Sequence, residues 1–437
     1  MKKVLSLFIV FSLTCSFSFA QKIWTLDECI KQAKQENLTV KQQIIQADVS
    51  KVDHQQSKQN LLPDLNMTLG QGFSFGRSLT ESNAYENTNV QNSSLGISSG
   101  ITLFDGLQMF NNIKKSNFDF QAALQDVAKA QDNIALQVMT YYLEVLYAKE
   151  NLKLAEQQIV FTKEQLQKTA YLIESGRAPK GQLYEINAQL AQDEVSLSTA
   201  KNTLSLDLLN LAQLLYIEDV VSFDVDDNIL LTEDGVLERT VDEIYQKALE
   251  FLPSVKAEEL RIKSSETAIK VQRGAYLPQL TFSASYGNGY YHTDNVVNVD
   301  FQDQLEQNRT FGMSFNLSIP IFNRMSVCNN VKKANYNLQT QQLSLENVKY
   351  NLRKEIQQAY ANAVSAREKI KLADANVTAY SEAYRYQADK YEAGTTALYE
   401  YNEAKNKLTK AMSEKIQAKF AYMFRCRVLA YYQGEKF

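Results

Sequence analysis

Proline and glycine are scarce, at 5 and 15 of 437 residues. That is too few for a turn-rich fold, so helices must fill nearly everything between a small number of joints. Histidine is scarcer still: His54 and His292 are the only two, and neither stands with Cys, Asp or Ser in a catalytic pattern. The glycines form no phosphate loop. An enzyme is therefore not expected, and no cofactor is implied. Beyond the first 20 residues the cysteines are Cys29, Cys328 and Cys426, an odd number without CxxC spacing. They exclude a disulfide framework and a metal site and read as small packing residues. A net charge of −4 and a pI near 5.6, with no basic patch interleaved with aromatics, argue against a nucleic-acid partner. After the N-terminus, no run reaches the roughly 18 apolar residues of a membrane helix.

What is present begins with residues 107–175, a stretch with neither glycine nor proline. It reads as one helix on the order of 100 Å long. A seam alternating three and four apart runs through it: Val127, Gln131, Ile134, Val138, Tyr141, Val145, Ala148, Leu152, Ala155, Ile159, Thr162, Leu166, Thr169, Ile173. The heptad pattern calls for side-by-side packing in a curtain or bundle, and its Ala and Thr positions let neighbours approach closely. Residues 323–393 also lack both breakers, and the seam recurs there at an offset of 218. Entrances match, Phe104-Asp105 against Phe322-Asn323, and so do exits, Glu174-Ser175-Gly176 against Glu392-Ala393-Gly394. The chain reads as an internal duplication.

Lys2 and Lys3, the apolar run Val4 to Leu13 and the small residues ending at Ala20 read as a secretory signal, residues 1–20. Cys15 is a poor match to a lipidation site. The first repeat is expected over 21–216, an acidic linking girdle over 217–239, and the second repeat over 240–437. Thr25-Leu26-Asp27-Glu28 and Thr240-Val241-Asp242-Glu243 are capping boxes, each opening a helix of about 36 residues. Those helices stop at Leu62-Pro63 and Leu277-Pro278, after which the period switches to two and strands begin. Pro63, Pro278 and Pro320 are read as the strand-entry joints. Each repeat thus carries a hairpin, with polar loops expected at Arg77 to Asn92 and Tyr291 to Arg309.

One strand face is apolar, carrying Leu65, Met67, Leu69, Phe73 and Phe75 in the first strand and Phe311, Met313, Phe315 and Leu317 in the last. The other face is small and polar. Four strands of membrane length cannot close a barrel alone, because lipid tolerates no unpaired edge. Two copies give eight strands with a filled interior and three give twelve with room for a passage, which favours a homotrimer. The alternatives are soluble hairpins packed on helices, or a structural coiled-coil protein of the periplasm or surface without a pore. The expected fold is mainly α with a β part: a long antiparallel α-helical barrel continuous with a β-barrel of four strands per protomer.

The duplication, the Pro-before-strand signatures, Phe104-Asp105-Gly106 at the strand-to-helix step and Tyr391-Glu392-Ala393-Gly394-Thr395 at the second turn together resemble the TolC family of outer membrane channels. The resemblance covers the whole mature chain. It implies a trimeric exit duct in the outer membrane with its helices in the periplasm, working with a periplasmic adaptor and an inner-membrane pump or ABC transporter in efflux or type I secretion. It further implies that the helix turns at Gly176 and Gly394 form the closed end, with lumen acids at Glu400 and Glu403 and, in the first repeat, Glu185. Tyr391 corresponds to the family tyrosine before the second turn. Thr396 stands where a well-known member has arginine, so the arginine latch is not expected. On a threefold axis, like charges at about 6 Å would repel by about 3 kcal/mol per pair, favouring a bound cation or proton.

Overall fold

The computed structural model describes residues 23–79, 83–220, 222–227, 235–294 and 296–435. The signal segment with Cys15, and Glu233 and Asp234 of the acidic linker, lie outside the described residues. The chain is mainly helical with one four-stranded sheet and divides into two compact units. One comprises Met1–Lys41, Gln131–Lys247 and Glu355–Phe437, the other Gln42–Ala130 and Ala248–Lys354.

Both capping boxes form. The Thr25 hydroxyl accepts from Glu28 N at 3.3 Å while Glu28 Oε2 accepts from Thr25 N at 3.0 Å; Thr240 and Glu243 repeat the exchange at 3.3 and 2.8 Å. The helices they open are not continuous, however. The first is α1 (Leu26–Glu36) followed by α2 (Leu38–Gln59), and its counterpart is α5 (Val241–Phe251) followed by α6 (Pro253–Gly274). At the first break Asn37 turns extended (φ −61°, ψ 127°) and its side-chain oxygen accepts from Thr39 N, capping α2. At the second, the ring of Pro253 forces Leu252 out of the helical region (φ −63°, ψ 128°). Two different local chemistries produce one break, 215 residues apart.

In the sheet unit, β2 (Asn66–Leu79), β3 (Tyr85–Phe104), β5 (Gln279–Thr293) and β6 (Thr310–Ser318) are antiparallel in the order β2-β3-β5-β6. The first hairpin reaches further than its polarity suggested. Most of Arg77 to Asn92 is strand, because polar side chains leave the backbone ladder free to continue. The second connection holds a short helix, α7 (Phe301–Gln307), whose Gln304 exchanges side-chain hydrogen bonds with Tyr291 N and O, both at 2.8 Å. It thereby covers the part of β5 that β6 does not reach. Register aligns the apolar residues into rows, Met67–Ile97–Tyr286–Phe311 and Ile101–Phe282–Phe315. Their outer members stay in the open: Met67, Phe311 and Phe315 are 63%, 63% and 70% exposed. Among the described residues no strand pairs with the outer edges of β2 and β6.

The long helices are α3 (Gln108–Glu174) and α8 (Ser326–Glu392), each of 67 residues, followed by α4 (Gly181–Leu214) and α9 (Leu398–Tyr432). Asp105 caps α3, its carboxylate accepting from Met109 N at 2.8 Å. Gly106 before it is left-handed (φ 70°) and abuts Gly274 backbone to backbone. Along α3 the seam residues Ile134, Val138, Val145, Ala148 and Ile159 are buried as expected, but Tyr142 rather than Tyr141 is the fully buried tyrosine.

Tyr142 is enclosed because a second layer covers that part of α3. There β1 (Ile23–Trp24) pairs in parallel with β4 (Asp224–Val225), and the Tyr142 hydroxyl lies 3.1 and 2.9 Å from the carbonyls of Trp24 and Asp226. Lys149 binds Asp224 and Asp227 at 2.6 and 2.9 Å, and Lys153 binds Asp227 at 3.2 Å. Burial pushes the Asp227 carboxyl upward, but hydrogen bonds and charge from the two lysines prevail and hold it below its ordinary 3.8. A depressed carboxyl contributes stability above its ordinary pKa and loses it as the pH falls through the folded one. Limited proteolysis at 222–227 should therefore be slow at neutrality and accelerate below about pH 4, the more so for Lys149→Met, which should be cleaved there faster even at neutral pH.

Candidate functional site at the helix turns

Both long helices end in the same backbone device. Gly176 N bonds Ile173 O at 3.0 Å and Arg177 N reaches back to Leu172 O at 2.8 Å; Gly394 N bonds Tyr391 O at 3.0 Å and Thr395 N reaches Lys390 O at 2.9 Å. These are Schellman caps, with glycine left-handed at φ 72° and 70°. A Cβ at either glycine would meet nothing within 4 Å, so both turns are open to their surroundings. The strand-entry prolines belong to the other unit. Pro63 precedes β2 and Pro278 precedes β5, but Pro320 follows β6 and leads on toward α8, so it leaves the sheet rather than entering it.

Beyond the second turn, Leu398 and Tyr401 are buried with Ile186 of α4, and Leu166, Tyr384, Ala388 and Tyr391 pack around them. Tyr391 stacks on Tyr401 at 5.2 Å between ring centroids, and the Tyr384 and Tyr401 hydroxyls are 2.9 Å apart. Burial, and then the bond from Tyr384, push the Tyr401 phenol well above its ordinary range, so it stays neutral.

The three acids separate into two environments. Glu185 and Glu403 share a groove of about 580 Å³ between α4 and α9, which Lys407 and Lys410 also line. Glu403 pairs with Lys407 at 2.8 Å. Glu400 is not in that groove: its carboxylate accepts from the Thr396 hydroxyl. Among the described residues no cation lies within ion-pair distance of Glu400.

A further polar group escaped the sequence reading. Lys405 of α9 is 6% exposed, and its ammonium donates to the Thr162 hydroxyl at 2.7 Å. Thr162 in turn lies 2.5 Å from Asp193 of α4, which also accepts from Gln189 at 2.7 Å. Burial lowers the lysine and the charge of Asp193 opposes that shift. The signal was spacing, since Leu398, Tyr401, Lys405, Leu408 continue one three-and-four seam in which a lysine occupies a core position. Polar contacts step along the α3–α9 seam in the same way, through Gln158–Thr409 at 3.2 Å and Asn151–Ser413 at 2.8 Å.

Comparison with known proteins agrees with this construction. The outer membrane efflux protein family matches residues 29–215 and 244–423. The outer membrane protein TolC of Escherichia coli is 23% identical over 434 residues, covering 97% of this chain and 84% of its own, and TolC of Vibrio cholerae is 22% identical over 97% and 93%. Among solved structures, a membrane protein from Pseudomonas aeruginosa superposes with a TM-score of 0.78 at 17% identity, covering 94% of this chain and 90% of its own. VceC of Vibrio cholerae gives 0.76 at 13% identity over 94% and 96%. The chain belongs to the outer membrane efflux protein family, and with it is an outer membrane protein of TolC-like fold and not an enzyme.

Proposed function

We propose that three copies of this chain form a passive exit duct, in which twelve strands close a β-barrel in the outer membrane and the helices continue it into the periplasm. The observation that carries the reading is the four-stranded sheet, with an exposed apolar face and, among the described residues, two unpaired edges. In lipid both edges must be paired, and a second and third copy supply the partners. A pore-free coiled-coil protein gives no reason for such a sheet. Matching caps, matching helix breaks and two 67-residue helices support reading 21–216 and 240–437 as repeats joined by 217–239. Mass measurement of the detergent-extracted protein should give three chains per particle. A monodisperse monomer, soluble without detergent, would sink the barrel and the duct together.

The duct serves a tripartite efflux pump or a type I secretion system, and the open turns at Gly176 and Gly394 are where a periplasmic adaptor would engage it, with an inner-membrane pump or ABC transporter behind. At the closed end the acids act unequally. Glu403 is offset by Lys407, whereas Glu400 accepts from the uncharged Thr396 hydroxyl and, among the described residues, has no cation beside it. In single-channel recordings Glu400→Gln should lower cation preference and block by multivalent cations more than Glu403→Gln does. Equal selectivity in wild type and both variants would mean that these carboxylates do not face the lumen.

A further inference from the structure

Beyond Gly287, where its pairing with β6 ends, β5 runs on with three side-chain amides in place of a strand. Asn308 donates to Gly289 O at 2.7 Å. Gln304 joins Tyr291 N and O, and Asn298 accepts from Thr293 N and donates to Thr293 O, all at 2.8 Å. Water would solvate such an edge unaided, whereas hydrocarbon leaves every unmet backbone group at full cost. The same segment stands α7 against one face of the sheet, where Asn288 donates to Leu305 O at 2.8 Å and the Tyr290 and Phe301 rings meet edge to face at 5.2 Å. That face is the apolar one. Asn288 and Tyr290 belong to the rows Leu69–Leu95–Asn288 and Gln71–Ser93–Tyr290, which continue Met67–Ile97–Tyr286–Phe311 toward the hairpin tips. Between helix and sheet runs a groove of about 350 Å³, with Leu69 and Leu95 on its floor, Phe301 and Leu305 on its wall and Gln71 and Ser93 at its outer end.

We infer that α7 is a wall at the outer rim of the apolar band, and that the groove beside it takes an acyl chain of a membrane lipid. Height supports the placement. From Leu280, paired with Leu317 at the other end of the face, β5 runs about 34 Å to Tyr290, which a tilt of about 40° projects to about 26 Å, close to the ~25 Å apolar band of membrane barrels. The groove therefore spans the level at which hydrocarbon gives way to headgroups, apolar along its floor and polar at its outer end. Val297, Val299 and Phe301 are exposed, and so are Gln302, Asp303 and Glu306, which gives the segment an apolar side for lipid chains and a polar side for headgroups and water. The inference rests on the reading of this face as the lipid face, and adds what is bound there.

Tryptophan fluorescence of the full-length protein tests this in vesicles of phosphatidylcholine with and without bromine on the upper acyl chain, since bromine quenches only on near contact. Trp24 is the one native tryptophan, and its emission is subtracted using the parent protein. A side chain held ~5–10 Å below the headgroups meets that bromine, so Phe301→Trp should lose about half its emission in the brominated vesicles. Leu305→Trp should behave alike. Tyr291→Trp, beside Tyr290 but on the opposite face, should be unaffected. Equal emission from Phe301→Trp in the two lipids, or equal quenching at 301 and 291, would overturn the inference. Aqueous acrylamide then tells what replaces it: access to 301 would put α7 in water, and protection from both quenchers would mean that a second copy covers it. Phe315→Trp, on the same face nearer its middle, keeps the two readings apart. Quenching at 315 without quenching at 301 sinks only the lipid groove, whereas no quenching at either sinks the lipid face as well.

Discussion

Gly106→Ala should be among the most damaging single substitutions in the chain, costing about 2–4 kcal/mol and leaving little assembled protein. Two effects add. Gly106 is left-handed, at φ 70°, and a Cβ there would lie 2.1 Å from the Gly274 carbonyl oxygen and 2.9 Å from Leu277 Cβ. Backbone oxygen at the end of α6 cannot swing aside as a flexible side chain does, so the strand-to-helix step or the helix end must shift. Gly274→Ala meets the same contact from the other side, at 2.6 Å from Gly106 O, without the φ penalty, and should cost about 1–3 kcal/mol. Gly176→Ala is the control. Its φ of 72° is nearly the same but its surroundings are open, so only the conformational cost of about 1 kcal/mol applies. Thermal unfolding of the three purified variants should rank them in that order. If Gly106→Ala melts no earlier than Gly176→Ala, the backbone contact is not formed as described.

That pair of glycines also shows what was legible in the sequence. Phe104-Asp105-Gly106 stood out as a joint because a glycine between a strand and a helix has a local reason to be there. Its counterpart, Phe322-Asn323-Arg324, adopts the same left-handed step with Arg324 at φ 54° and Met325 at φ 63°. Nothing in the residue type announced it. Features encoded by neighbours in sequence were readable: the two uninterrupted helices, the capping boxes, the Gly turns and the alternation of β2 and β6.

Features that depend on what lies opposite were not readable. Asn37 reads as a tolerable helix residue until its side chain is seen to cap α2. The strands run on as far as Leu79 and begin again at Tyr85, well inside the polar stretch Arg77 to Asn92, because the partner strand is there whatever the polarity. Tyr142 is buried through the β1–β4 layer, which no seam on α3 encodes. The acids after the second turn were found by likeness to a family pattern, but their different surroundings, Lys407 for Glu403 and Thr396 for Glu400, required coordinates.

The second large effect concerns the sheet. Phe315 is 70% exposed on the apolar face, against Phe282 at 4.8 Å between ring centroids, while Ser314 beside it faces the other way and meets the Ser283 hydroxyl at 2.7 Å. If the apolar face meets lipid, Phe315→Arg places a charge in hydrocarbon at a cost of roughly 2–4 kcal/mol per chain near the midplane, repeated in every copy of the assembly. No neighbouring acid on β5 or β6 offsets it, since the sheet rows around it are Ile101, Phe282 and Met313. The variant should accumulate outside the membrane fraction as unassembled chain. Ser314→Arg adds the same charge one residue away, on the face turned to water, and should insert normally with only its ion selectivity altered. Membrane fractionation and mass in detergent separate the two outcomes. Normal insertion of Phe315→Arg together with failure of Ser314→Arg would mean that the polar face meets lipid, and the proposed barrel would be inside out.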